Sequence, residues 1–140
     1  MNDRLNVHLN REHRLVICRP TGVVSEQHAN ELLKFLIPFE QSNSAPFNRL
    51  LDLSEVTEIQ LTSPVIFAFT RARREETKRL PPFRMAIIAP DHTTESFALI
   101  YAALMKGSQI QVAIFPDARI VPNWLGVPES ALQSELAHHE

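Results

Sequence analysis

Three times after residue 46 a short apolar run is followed by a stretch with helical spacing: 47–53 with 64–78, 83–89 with 94–106, and 110–115 with a short terminal helical region. Strands that alternate with helical patterns of this length argue for parallel crossovers and an α/β sheet. The boundaries carry matching punctuation. Ser63 followed by Pro64 is a helix start, because proline at the first helical position loses no hydrogen bond and presets φ. Gly107 stops the next helix. Pro122 interrupts the segment after Asp117, which predicts a last helix split into 123–125 and 128–137.

The N-terminal third has a different rhythm. Residues 5–9 and 15–19 read as two strands joined by the polar turn Asn10-Arg11-Glu12-His13, a hairpin-sized gap. Beyond Pro20-Thr21-Gly22, Ser25 is placed to cap a helix in which Ala29, Leu32, Leu33, Leu36 and Ile37 repeat at helical spacing. Pro38 disturbs or bends its last turn, and Asn43-Ser44-Ala45-Pro46 closes the unit as a loop. The expectation is one α/β domain over 1–140, an N-terminal β-hairpin followed by four βα units around a mostly parallel mixed sheet. Met85-Ala86-Ile87-Ile88-Ala89 is apolar without alternation, as in strands covered on both faces. A homodimer partner could supply the second cover, as could the hairpin and terminal helices.

Composition narrows the function classes. An apolar fraction of 44% with 21% charged residues is ordinary for a globular protein, and a formal charge of -2 gives no general attraction for nucleic acid. Eleven arginines against three lysines favour bidentate contacts with carboxylates or phosphates, or surface ion pairs. The single cysteine, Cys18, lies inside the apolar run LVIC and reads as a buried inert thiol. With no leader-like start and no apolar run near the ~18 residues that span a bilayer, the cytoplasm is the expected compartment.

Several segments stand in the order of a known family: Leu15-Val16 with Thr21-Gly22-Val23-Val24, then Arg49-Leu50-Leu51-Asp52-Leu53-Ser54, Met85 to Ala89, Tyr101-Ala102-Ala103-Leu104, Val112-Ala113-Ile114-Phe115 and Trp124-Leu125-Gly126. The chain resembles the STAS domain, in particular its SpoIIAA-like branch, the fold of bacterial anti-sigma-factor antagonists, which is also compared with the CRAL-TRIO lipid carriers. The resemblance implies a non-enzymatic regulatory module that binds a protein partner. In the antagonists a DSSG-like turn at the start of the second helix carries a phosphorylated hydroxyl. That turn falls here on Gln60-Leu61-Thr62-Ser63, where only Thr62 keeps the hydroxyl at the matched position. Phosphate at Thr62 would sit by a helix N-terminus, where its charge is favoured; the alternative is that Thr62 or Ser63 simply caps the helix.

The carboxyl ends of parallel strands are where α/β sheets place ligands. Asp52 with Ser54, Asp91 with His92, and Asp117 fall there. A serine–histidine–aspartate set could be drawn from Ser54, His92 and Asp91 or Asp52, but Ser54 lacks the Gly-x-Ser-x-Gly elbow, and the aspartates also suit turns and caps. Histidines at 8, 13, 28, 92, 138 and 139 show no zinc spacing, the aspartates no calcium-loop spacing, and three glycines offer no phosphate cradle. No catalytic residue, metal or cofactor is expected. The run 71–79 mixes charges, as a solvated face or a patch for an acidic partner or lipid headgroup does. Partner- or ligand-binding candidates are therefore Asp52, Ser54, Thr62, Ser63, Phe67, Asp91 and His92, with 54–70 as the partner surface. The second reading is a carrier or sensor of a small apolar or anionic, lipid-like ligand, with Phe35, Phe67, Phe69, Phe97 and Tyr101 lining an apolar pocket or forming plain core.

Overall fold

The computed structural model describes residues 5–43 and 45–132. Its elements run β1 (Val7–Asn10), β2 (Leu15–Cys18), β3 (Gly22–Ser25), α1 (Glu26–Ser42), β4 (Asn48–Asp52), β5 (Val56–Gln60), α2 (Ser63–Thr77), β6 (Phe83–Ile88), α3 (His92–Met105), β7 (Ile110–Phe115) and α4 (Val121–Leu125). The main sheet has the order β1-β2-β4-β6-β7, with β1 antiparallel to β2 and every other pair parallel. This is the expected hairpin followed by βα units.

Pleat parity sorts the strands onto two faces. Leu15, Ile17, Leu50, Ala86 and Ile88 point to one, where Val121, Leu125 and Leu132 cover them. The uninterrupted apolar run of β6 thus has its second cover within the chain. Gly126, at φ 75°, ends α4 in the left-handed conformation, which glycine adopts without a Cβ clash. Val16, Cys18, Leu51, Met85 and Ile87 belong to the opposite face, under α1, α2 and α3.

Several boundaries differ from the sequence reading. Strands β3 and β5 form a separate parallel pair that no apolar run announces; both are short and half polar, so neither shows a strand period. Helix α1 runs through Pro38 to Ser42, since proline removes one backbone bond without ending the apolar stripe that holds the turn down. Pro122 lies inside the first turn of α4 instead of preceding it, because the first turn has no intrahelical use for its N–H. Helix α3 begins at His92, two residues early, under an Asp91 cap. The terminal helix is present from 129 to 132. Its expected continuation to 137, His138, His139 and the loop residue Ser44 lie outside the described residues.

Candidate functional site

Helices α1, α2 and α3 do not close fully onto the sheet. Between them lies a cavity of about 120 Å³. Its walls are almost wholly apolar: Val16, Cys18, Leu51 and Met85 from the strands, Leu32 and Leu36 from α1, Val65, Ile66 and Phe69 from α2, and Phe97 and Tyr101 from α3. The amphipathic stripes of the helices account for this placement. Ala29, Leu32 and Leu36 follow one another on α1, and Val65, Phe69 and Arg73 on α2, at three- and four-residue steps. Phe97 stacks on Tyr101, which also meets Phe69, with ring centroids 6.2 Å apart in each pair.

Each of the two stripes ends on a charge. Glu40, one turn beyond Leu36, and Arg73, one turn beyond Phe69, converge on Arg49 of β4. Arg73 donates to both carboxylate oxygens of Glu40, at 2.9 and 2.6 Å, and Arg49 Nη2 donates to Glu40 Oε2 at 2.7 Å. Arg49 also donates from Nε to the Phe47 carbonyl and lies 4.7 Å from the Phe83 ring centroid. The side chains are only 2% exposed for Glu40, 2% for Arg73 and 7% for Arg49, so this is an ion cluster inside the core. Burial by itself would raise the Glu40 pKa, but the bonds and charges of Arg73 and then Arg49 outweigh it and hold the carboxyl below its ordinary value. Burial dominates at Arg49, which is lowered, whereas the grip of Glu40 leaves Arg73 raised. Burial also raises Tyr101, against the pull of Arg73 and Arg49, so its hydroxyl stays protonated beside them.

At the other end, Ala29, Val65 and Phe69 are shared with a groove of about 270 Å³ between the first turns of α1 and α2, where Glu26, Asn30, Leu33, Pro64 and Ala68 complete the rim. Val65 and Arg73 are separated by two turns, about 12 Å of helix. The cavity and the groove thus share a wall at one end, and Arg49 and Arg73 lie at the other end of the cavity. His28 also lines it, and its Nδ1 accepts from the Ser25 N–H at 3.0 Å, which leaves the ring proton on Nε2.

The residues singled out in the sequence lie elsewhere. Asp52 pairs with Arg19 at 3.3 Å and accepts from the Ser54 N–H at 3.0 Å, so these two candidates share one turn. Thr62 caps α2 by accepting from Val65 N, with Ser63 beside it, and both are exposed. Phe67 is 49% exposed on the outer side of α2. Asp91 caps α3 by accepting from Thr94 N, and that backbone bond first, then the Thr94 side chain, lowers its pKa. His92 is exposed next to it, and among the described residues no hydrogen bond joins His92 to Ser54, Asp52 or Asp91. None of the seven lines the cavity. Of the five aromatics, Phe69, Phe97 and Tyr101 do, while Phe35 stacks on Phe39 in a separate cluster. His28, Glu40, Arg49 and Arg73 were not singled out as site residues. The available signal was a charge on an apolar stripe: Glu40 four residues past Leu36, and Arg49 at the same strand parity as Leu51 and Leu53.

The backbone is similar to that of a solved structure from Shewanella loihica PV-4, an uncharacterised protein of the DUF3478 family with a SpoIIAA-like fold. The identity is 14% and the TM-score 0.59, over 85% of this chain and 90% of that one. No family model matches the chain, and no curated protein matches it. The fold is SpoIIAA-like. No described helix is long and apolar enough to cross a membrane.

Proposed function

We propose that this chain is a non-enzymatic carrier or sensor that holds a small apolar molecule between the sheet and helices α1 to α3. The observation that carries the reading is the apolar cavity of about 120 Å³, which shares Ala29, Val65 and Phe69 with a groove between two helices. An apolar cavity of about 150 Å³ suffices to bind benzene and to exclude water, because water needs two to four polar partners to enter. A space of this size in a small domain is costly to leave unfilled, and an occupant that enters through the groove offsets that cost. The comparison drawn between SpoIIAA-like domains and the CRAL-TRIO lipid carriers points the same way. No catalytic step is assigned.

A second reading, binding to a regulatory protein partner, is favoured by a separate observation. Phe67 on α2 and Leu99 and Ile100 on α3 are large apolar side chains exposed on the outside of the same helices, and Thr62 caps α2 with its hydroxyl accessible. The two readings are compatible, because the helices that close the cavity also present these side chains.

The test is titration with N-phenyl-1-naphthylamine, a neutral dye that fluoresces in apolar surroundings. Saturable one-to-one binding, weakened by Val65→Trp at the junction of groove and cavity, is expected. Binding unaffected by Val65→Trp but weakened by Phe67→Ser and Leu99→Ser would place the dye on the outer surface and contradict the carrier reading.

A further inference from the structure

The cavity floor holds two guanidinium groups and one carboxylate. Both oxygens of Glu40 are already engaged, Oε1 by Arg73 and Oε2 by Arg73 and Arg49. Among the described residues, no group accepts a hydrogen bond from Arg49 Nη1. Glu76, half-buried on the next turn of α2, acts on Arg73 more weakly than Glu40 does. The floor thus carries one positive charge more than its own carboxylate balances, in a site where an unbalanced charge is costly. Tyr101, buried beside Arg73, adds a protonated hydroxyl.

We propose that the occupant is a carboxylate-headed apolar molecule, with its head on Arg49 and Tyr101 and its tail directed toward the groove between α1 and α2. This rests on the ligand-holding reading and specifies its chemistry. A single negative charge balances the floor, whereas a dianionic phosphate would leave it negative. A guanidinium presents paired donors that match a carboxylate. The polarity of the space is directional as well: Arg49 and Arg73 lie at the end far from the groove, and Leu32, Val65 and Phe69 fill the length between, so a charged head is held at depth and an apolar tail meets apolar walls.

The experiment is displacement of the bound neutral naphthylamine dye at neutral pH by octanoate, octanol and octylamine, three probes with the same tail. Octanoate is expected to bind at least about tenfold tighter than octanol, the ratio one charge-assisted hydrogen bond supplies, and octylamine more weakly than either. Arg49→Met and the all-apolar variant Glu40→Leu/Arg49→Met/Arg73→Met should lose the preference for octanoate while still binding octanol. Octanol binding as tightly as octanoate in the unaltered protein overturns the head site and leaves the carrier reading standing. Failure of the dye and all three probes to bind overturns both. Should either variant not fold, the comparison of probes on the unaltered protein decides alone.

Discussion

Arg73 of α2 holds both carboxylate oxygens of Glu40 of α1, and Glu40 in turn holds Arg49 of the middle strand of the sheet at 2.7 Å. One buried carboxylate thus ties two helices to β4 at the far end of the cavity. Neutralising it with Glu40→Gln should cost about 3–5 kcal/mol, because two guanidinium groups are left in the core without their counter-charge. Urea unfolding followed by circular dichroism measures this.

Replacing the whole cluster should behave differently. A buried ion triad exchanged for apolar residues of similar volume is often neutral or stabilising. Glu40→Leu/Arg49→Met/Arg73→Met is therefore expected to unfold at the same urea concentration as the unaltered protein or a higher one. A midpoint lower than that of Glu40→Gln would mean that the cluster organises the fold beyond its charge balance.

Acid should loosen the same link. The Glu40 pKa is lower folded than unfolded, so its stabilisation is fully present above the unfolded value of about 4.3 and is lost as pH falls through the folded one. The exposed carboxyls of Asp91 and Asp117 are lowered too, each by a backbone hydrogen bond first, so the contribution of Glu40 is read by comparison. Between pH 5 and pH 3 the unaltered protein should lose more stability than the all-apolar variant, which keeps both aspartates. Equal losses in the two proteins would remove Glu40 from the account.

Cys18 lines the cavity and donates to the Leu5 carbonyl at 3.3 Å. Burial pushes its pKa up to about 12, against a weaker opposing pull from Arg19. The thiolate is the reactive form, so labelling by iodoacetamide at neutral pH should be far slower than for a free cysteine and should quicken in urea. Rapid labelling of the folded protein would show that solvent reaches the cavity wall freely.

The fold was legible because its strands are apolar runs and its helices carry apolar stripes, patterns that survive in a single sequence. Strands β3 and β5 were not, since Val56-Thr57-Glu58-Ile59-Gln60 presents three exposed polar residues and is a strand by virtue of its pairing with Gly22–Ser25. Strand ends collect ligands in α/β sheets, which points to Asp52 and Asp91, yet there Asp91 caps a helix and Asp52 pairs with Arg19. Arg49 was visible as a charge within the strand Asn48–Asp52. Its partner Glu40 lies 9 positions away on α1, and Arg73, which shares that carboxylate, 24 positions away on α2, and no spacing rule joins the three.

The carrier reading is tested most directly by native mass spectrometry of protein purified without added ligand, repeated under denaturing conditions. A bound molecule, released on denaturation, is expected, or a bare protein that takes up one equivalent of octanoate when it is supplied. A bare mass that stays bare in the presence of octanoate, octanol and the naphthylamine dye would contradict it, and the exposed Phe67, Leu99 and Ile100 would then become the surface to follow.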